Sequence, residues 1–246
     1  MKIIGIIPAR YSSTRFPGKP LVDIGGRSMV MRVFDQASKV AAISKVIVAT
    51  DDQRIFDHVY ENGGTAVMTR DDHPSGTDRC NEAISGIEER FDFAINIQGD
   101  EPFLKPEQIN SLCQVLTPEV EIGSMMKKIS DEKDLFNPNV VKVVVSEPGN
   151  ALYFSRQTIP YQRNAEKENW LENFSYFKHL GIYAYRTDIL SKLAALPEGK
   201  LEKAESLEQL RWLEKGYSIK MVETDIESIG IDTPEDLELV KKKLNL

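Results

Sequence analysis

Apolar and polar positions alternate in blocks near the start of the chain. A short run rich in isoleucine at 3–7 is followed by a longer segment at 29–40 whose apolar side chains have helical spacing. The same order recurs at 46–49 and 55–60. Short buried strands that alternate with amphipathic helices predict β-α-β-α units, in which helices cover both faces of a mainly parallel sheet.

The remaining periodic segments extend this pattern to the end of the chain. Further strands are predicted at 65–68, 93–98, 123–127, 140–145, 179–185 and 218–222, and helices at 78–90, 106–116, 189–196, 204–215 and 234–244. The last helix has the clearest start, because Thr233, Pro234 and Glu235 supply a cap, a first-turn proline and an acid. The polar, aromatic-rich stretch 157–177 interrupts the pattern and is interpreted as a lid, a subunit contact or a plain surface loop.

The composition is typical of a single α/β domain over residues 1–246. With 41% hydrophobic residues, a chain of this length can bury one sizeable core. Its formal net charge of −7 disfavours general affinity for nucleic acid or an anionic membrane.

Cys80 and Cys113 have no metal-ligand or redox spacing. The apolar run before Pro8 is too short for a signal peptide, so a cytoplasmic protein is expected.

Positive charge is concentrated at the N-terminus. Lys2, Arg10, Arg15 and Lys19 all precede the first acidic residue, Asp23, and the last three lie in a loop that follows the first strand. Backbone N–H groups at the carboxyl end of a parallel strand can hold phosphates, and Arg15 and Lys19 would neutralise them. The loop lacks the G-x-x-x-x-G-K-[ST] and G-x-G-x-x-G motifs. The alternative is a flexible connector with a solvated basic face.

Two aspartates are candidates for metal binding. Asp100 comes shortly after the predicted strand at 93–98, and Asp232 also follows a predicted strand region. Carboxylates beside glycine at such positions suit Mg²⁺, which prefers oxygen ligands and keeps several waters. The alternative for either aspartate is a turn or a helix cap, particularly for Asp232, which lies next to a helix start.

Weaker signals mark a place for a second ligand. The turn at 73–79 could hydrogen-bond a base or a sugar, and Arg156 could clamp a carboxylate. Glu205 and Gln209 share a helix face and could meet a polyhydroxylated substrate. Ordinary surface roles are the alternatives for each, and His179 alone is typical of a structural histidine.

Together these segments resemble the 3-deoxy-manno-octulosonate (Kdo) cytidylyltransferase family, the CMP-Kdo synthetases. The resemblance covers nearly the whole chain in family order, through IIPARYSSTRFPGKPL, IVATDD, MTRDDHPSGTDR, NIQGDEP, FNPNVVKVV, ALYFSRQTIPY, HLGIYAYR, LEQLRWL and GIDTPEDLE. It implies a Rossmann-like nucleotide-diphospho-sugar transferase sandwich with a mainly parallel sheet. It also implies a smaller region at roughly 120–180 that contributes to the sugar site and to a homodimer contact.

The resemblance also implies residue roles. CTP would contact Ala9, Arg10, Arg15, Lys19, Arg70, Ser75 and Gly76. Kdo would contact Gln98, Arg156, His179, Tyr183, Glu205 and Gln209. Asp100 and Asp232 would hold Mg²⁺ and, with Lys19, form the catalytic group. One metal ion or two are both compatible with this set.

The implied reaction is the Mg²⁺-dependent activation of Kdo by CTP, giving CMP-Kdo and pyrophosphate for lipopolysaccharide biosynthesis. The 2-hydroxyl of Kdo would attack the α-phosphate in line. Three alternatives stay open: a cytidylyltransferase for another 2-keto sugar acid such as sialic acid, a non-catalytic nucleotide-binding regulator, and a Rossmann dehydrogenase. The missing glycine fingerprint disfavours the dehydrogenase.

Overall fold

The computed structural model describes residues 1–12, 16–226 and 229–244, and for 243 and 244 it describes the backbone only. Contacts between Cα atoms divide the chain into two compact units. Unit 1 comprises Met1–Asn110 and Glu227–Leu246, and unit 2 comprises Ser111–Ile226. No helix in the described part of the chain combines the length and apolar character needed to cross a bilayer.

Unit 1 contains a four-stranded parallel sheet. Its strands are β1 (Ile3–Ala9), β2 (Ile43–Thr50), β3 (Ala66–Met68) and β4 (Phe93–Asn96), in the order β3-β2-β1-β4. The isoleucines of β1 are almost fully buried although successive side chains point to opposite faces. Both faces of the sheet are therefore covered, as the uninterrupted apolar run predicts.

The helices of unit 1 begin close to the predicted positions. They are α1 (Met29–Ala37), α2 (Gln53–Glu61), α3 (Gly76–Ser85), α4 (Pro106–Gln114), which continues past the unit boundary, and α10 (Pro234–Leu244). Side chains cap α2, α3 and α10. The Asp52 side chain accepts from the N–H of Arg54, and Ser75 caps α3 in the same way, so both helices start two residues earlier than apolar periodicity suggests.

The final helix belongs to the core of unit 1. Leu237 and Val240 of α10, together with Ile231, pack in a buried cluster with Ile24 and Met29. The helix has the range predicted from the sequence. Because it packs in this cluster, the C-terminal end of the chain lies near the segment that follows β1.

Unit 2 contains a mixed sheet. Its strands are β5 (Ile122–Lys128), β6 (Lys142–Val145), β7 (Ala151–Ser155), β8 (Phe177–Arg186) and β9 (Ile219–Glu223). Strand β5 pairs parallel with β9 and antiparallel with β8, while β6 pairs antiparallel with β7 and β8. The predicted α/β class with a mainly parallel sheet is confirmed: the strands of unit 1 pair in parallel, and antiparallel pairs occur in unit 2.

The helices of unit 2 show where the sequence prediction was wrong. They are α5 (Glu132–Phe136), α6 (Trp170–Asn173), α7 (Thr187–Ala194), α8 (Lys200–Glu205) and α9 (Gln209–Glu214). The single helix predicted at 204–215 is broken, because Ser206 adopts a left-handed φ of 52°. Strand β7 and the short α5 were not predicted.

The stretch 157–177 is an ordered part of unit 2. It carries a 3-10 turn at Lys167–Asn169 followed by α6. Trp170 and Tyr176 are almost fully buried and form a cluster with Ile129 and Leu135. The interpretation as a plain surface loop is therefore wrong.

Replacing Glu202 with glutamine tests a buried ion pair inside unit 2. Arg211 donates two hydrogen bonds to the Glu202 carboxylate, at 2.7 and 2.6 Å, and the two side chains are 12% and 9% exposed. The substitution leaves the Arg211 charge buried, so we expect the free energy of unfolding in urea to fall by about 3 kcal/mol. As a control, Glu198→Gln removes only the exposed pair with Lys203 and should cost less than about 1 kcal/mol.

The same pair gives this prediction a pH dependence. Burial raises the pKa of Glu202, but hydrogen bonds from Arg211 and the Gly199 N–H outweigh burial and leave the pKa below the ordinary 4.5. The stabilisation is therefore complete above that value and is lost as the pH falls through the lowered pKa. Wild type and Glu202→Gln should converge in stability on acidification below pH 4.5, and equal stability at neutral pH would contradict the assignment.

Candidate active site

A cavity of about 580 Å³ opens at the carboxyl edge of the unit 1 sheet. Strands β1 and β4 are parallel neighbours, so the loops that follow Ala9 and Asn96 meet at this edge. The lining residues come from these loops and from the segment before α10: Pro8, Ala9, Arg10, Ser12, Lys19, Pro20, Gln98, Gly99, Asp100 and Asp232.

Close backbone packing forms one wall of the cavity. A Cβ atom on Gly99 would lie 2.8 Å from the carbonyl oxygen of Pro8, so a side chain there would push the two loops apart. The loop after β1 is closed by Gly18, whose φ is 72° and whose N–H donates to the Tyr11 carbonyl at 2.9 Å. This turn places Lys19 in the lining of the cavity.

The Lys19 ammonium lies between two carboxylates. Its Nζ donates to Asp100 Oδ2 at 2.8 Å and to Asp232 Oδ1 at 3.2 Å. The Lys19 side chain is 14% exposed, and those of Asp100 and Asp232 are 31% and 48% exposed. The two aspartates that the sequence singled out thus share one cation and line one cavity.

Backbone contacts place Asp232 at this point. The N–H of Ile231 donates to the Asp100 carbonyl at 2.9 Å. The cap of α10 is Thr233, whose hydroxyl accepts from the N–H of Asp236, while the Asp236 carboxylate accepts from the N–H groups of Asp232 and Thr233. The cap hydroxyl of α10 is thus that of Thr233, and the Asp232 carboxylate contacts Lys19.

The donor set fits a magnesium ion that shares its coordination with a substrate. Among the described residues, no group of three or more His, Cys, Asp or Glu side chains is placed to hold a metal. Two carboxylates within reach of one cation do suit Mg²⁺, which is usually bound by one or two carboxylates, waters and substrate phosphates. Asp100 and Asp232 are the residues that could hold it.

The other residues that were predicted to contact CTP differ in how close they lie to the cavity. Ala9 and Arg10 line the cavity, whereas Arg15 lies outside the described residues. A Cβ atom on Gly76, in the first turn of α3, would lie 3.7 Å from Pro8 Cγ, and the adjacent Ser75 is the cap of that helix. Arg70 is 69% exposed and pairs with Asp72 at 3.1 Å, and it is not a lining residue.

Of the predicted sugar residues, Gln98 lines the unit 1 cavity and the other five lie in unit 2. Two of these form a contact: the N–H of Arg156 donates to Glu205 Oε2 at 2.9 Å, and Arg156 Nε donates to the Glu205 carbonyl at 2.7 Å. Arg156 also donates to the carbonyls of Pro138 and Ser206, so its guanidinium is held by main-chain oxygens. Gln209 is buried at the start of α9.

His179 and Tyr183 lie side by side on β8, with ring centroids 5.2 Å apart. Burial lowers the pKa of His179 to about 3, so the imidazole is neutral at physiological pH, and its Nε2 lies 3.0 Å from Ser124 Oγ. Burial also raises the pKa of Tyr183 well above its usual value. Within the described part of the chain, the Tyr183 hydroxyl is buried without a hydrogen-bond partner.

Sequence reasoning missed several residues that shape the cavity. Pro8, Ser12, Pro20 and Gly99 all line it. Their signal was present but indirect, since each lies within a motif that was chosen for its charged members. Small residues set the form of such a wall, and the charges set its chemistry.

Fold and cavity together define a class of protein. A parallel α/β sheet whose carboxyl edge presents a basic loop and two carboxylates is suited to an enzyme that transfers a nucleotide phosphate group.

The family model for cytidylyltransferases matches residues 4–227. A 3-deoxy-manno-octulosonate cytidylyltransferase of Cytophaga hutchinsonii is 58% identical over 238 residues, which are 96% of this chain and 95% of the relative. Its counterpart in Bacteroides thetaiotaomicron is 52% identical over 242 residues, 97% and 96% of the two chains.

Solved structures agree with this result. A CMP:2-keto-3-deoxy-manno-octonic acid synthetase complexed with CTP superposes with a TM-score of 0.92 at 44% identity, covering 100% of this chain and 99% of the other. A 4-diphosphocytidyl-2C-methyl-D-erythritol synthase from Anaerococcus prevotii has a TM-score of 0.64 at 15% identity over 100% and 99% of the chains, which shows a shared fold only. The chain belongs to the 3-deoxy-manno-octulosonate cytidylyltransferase family.

Proposed function

We propose that this protein activates Kdo with CTP. The oxygen of the Kdo 2-hydroxyl forms a bond to the α-phosphorus, the bond from that phosphorus to the β-phosphate oxygen breaks, and pyrophosphate leaves while the hydroxyl proton is released. The observation that carries the proposal is the shared contact of Lys19 with Asp100 and Asp232 in a cavity of a chain that belongs to this family.

The residues of the unit 1 cavity act mainly by positioning and by neutralising charge. Arg10 and Lys19 line the cavity and present cations to the triphosphate, and backbone N–H groups beside Ala9, which also lines it, are available as further donors in the proposal. Phosphoryl transfer needs little covalent help from protein, so such preorganised charges are the expected source of rate. Asp100 and Asp232 would hold Mg²⁺, which would supply positive charge at the phosphates and lower the pKa of the attacking hydroxyl.

The residues of unit 2 are suited to a polyhydroxylated acid. Glu205 and Gln209 offer acceptors and an amide, and the neutral His179 can both donate and accept a hydrogen bond. Arg156 supplies the positive charge that a sugar carboxylate requires. We expect the reaction to take place in the cytoplasm, where CTP is available, and to supply activated Kdo for lipopolysaccharide biosynthesis.

A region of unit 2 also supports the proposal of a homodimer. Tyr161 is 72% exposed and Phe174 is 43% exposed, yet both rings pack on buried aromatic rings, Tyr161 on Trp170 and Phe174 on Tyr176, at centroid distances of 5.1 and 5.0 Å. Exposed aromatic rings that pack on a buried aromatic cluster are typical of a protein interface. It falls within the region 120–180 that the family resemblance assigns to subunit contact.

The direct test is to measure pyrophosphate release from CTP with different acceptors. We expect release with Kdo and Mg²⁺, loss of activity when the metal is chelated, recovery when Mg²⁺ is restored, and much slower release with sialic acid. CTP binding without turnover of either sugar acid would favour a nucleotide-binding regulator instead. Faster release with sialic acid would overturn the choice of substrate.

Asp100→Asn tests the catalytic role of the carboxylate pair. The amide keeps the size of the side chain but removes the charge shared with Lys19, so we expect kcat to fall about 100- to 1000-fold. A partly exposed pair contributes little to stability, so the melting temperature should change little. Asp57→Asn, on the exposed face of α2, is the matched control and should retain full activity. Near-normal kcat for Asp100→Asn at saturating Mg²⁺ would refute the role.

Tyr161→Glu tests the dimer. A charge in the centre of an apolar contact opposes association, so sedimentation should show dimers for the wild type and monomers for the variant. Tyr60→Glu introduces the same charge at a residue of unit 1 that is 73% exposed, and it should leave the dimer intact. A dimer that survives Tyr161→Glu would place the interface elsewhere.

A further inference from the structure

Lys142 is a fully buried lysine in unit 2 that the proposed reaction does not use. It is the first residue of β6, and its exposed fraction is 0%. The ammonium donates to the carbonyl oxygens of Asn137 at 2.9 Å, Val140 at 2.6 Å and Arg156 at 2.8 Å. An ammonium has three N–H donors, so these bonds satisfy it completely.

The position of Lys142 in the sheet places it among the predicted sugar residues. Strand β6 lies between β7 and β8, and Lys142 is opposite Ser155 on β7 and Lys178 on β8. Arg156 follows Ser155, and the N–H of His179 donates to the Val141 carbonyl at 2.8 Å. The start of β6 is therefore the backbone support for both neighbouring strand ends.

The main chain of Arg156 is hydrogen-bonded at both its carbonyl oxygen and its N–H group. Lys142 bonds its carbonyl oxygen, and Glu205 accepts from its N–H at 2.9 Å. Glu205 also accepts from the hydroxyl of Ser155 at 2.6 Å. Releasing the carbonyl would free the main chain of Arg156 to rotate, and the Glu205 carboxylate would lose the geometry of its two donors.

Packing alone does not explain why a charged side chain occupies this buried position. Burial lowers the pKa of Lys142, which shows that the environment disfavours the ammonium, although the charge of Glu205 acts in the opposite direction. A methionine would fill a similar volume without that cost. The neighbouring Lys178 is a useful contrast, since its ammonium pairs with the Asp134 carboxylate at 2.8 Å.

We propose that Lys142 is a positioning residue for the sugar acid: its ammonium fixes the Arg156 main chain and, through it, the Arg156–Glu205 pair. Lys142 itself does not touch the substrate. This inference rests on the proposed function, because Arg156 and Glu205 are assigned to the sugar by that proposal.

The test compares Lys142→Met with the matched control Lys178→Met in the full-length protein, with pyrophosphate release as the assay. For Lys142→Met we expect the KM for Kdo to rise about tenfold while the KM for CTP stays within about twofold, which is the pattern for loss of binding to one substrate. Lys178→Met should leave both KM values within about twofold. Melting temperatures and circular dichroism show whether each variant is folded.

The outcomes separate this inference from the proposed function. If the wild type does not release pyrophosphate with Kdo, the proposed function fails and this inference fails with it. If the wild type is active and folded Lys142→Met has an unchanged KM for Kdo, or if both KM values rise together, Lys142 is only structural. Should Lys142→Met not fold, Lys142→Arg takes its place, because its planar donors cannot reach three carbonyls in three directions, and it must show the same selective rise in the KM for Kdo.

Discussion

The contact of one ammonium with two carboxylates is the constraint on which the candidate active site depends. Lys19 is 81 residues from Asp100 and 213 residues from Asp232 along the chain, yet it bonds both. Two carboxylates so close together repel each other unless a cation lies between them. The fold must therefore bring a loop after β1, a loop after β4 and the approach to α10 to one point.

Each of these three approaches has its own physical cause. Parallel pairing of β1 and β4 sets two loops side by side, and the absence of a Cβ atom at Gly99 lets their backbones touch. The third approach depends on the burial of α10 against Ile24 and Met29 and on the bond from the Ile231 N–H to the Asp100 carbonyl. Apolar burial supplies the attraction, and the hydrogen bond fixes the register.

Much of this arrangement could be predicted from the sequence, for reasons that the structure makes clear. The isoleucine run of β1 indicates a strand buried on both faces, and a strand of that kind implies parallel neighbours whose carboxyl ends meet. Asp100 could be placed from that rule alone. Asp232 could not, because in the described residues the strand that precedes it, β9, ends at Glu223. A backbone bond and the packing of α10 bring it to the site.

Other features depended on tertiary contacts and had no local signal. Ser206 adopts a left-handed conformation that a serine rarely prefers, so the break between α8 and α9 is invisible in the apolar periodicity. No local signal indicated that the Arg156 guanidinium, predicted to clamp a carboxylate, would also donate to main-chain carbonyl oxygens. A lysine at a strand start is normally expected at the surface, whereas Lys142 is buried because three carbonyls converge on it.

Lys19 and Lys142 show how the same side chain can serve two different purposes. The partners of Lys19 are partly exposed carboxylates. Ion pairs near a protein surface are weak, so phosphates or a metal ion can replace these partners. The partners of Lys142 are main-chain oxygens in a buried site, where losing one bond leaves a charge without solvent. A cation that must take part in chemistry needs replaceable partners, and a cation that must hold a backbone needs permanent ones. The surroundings of Lys19 therefore suit a cation that exchanges its partners, and those of Lys142 suit a cation that holds the main chain in place.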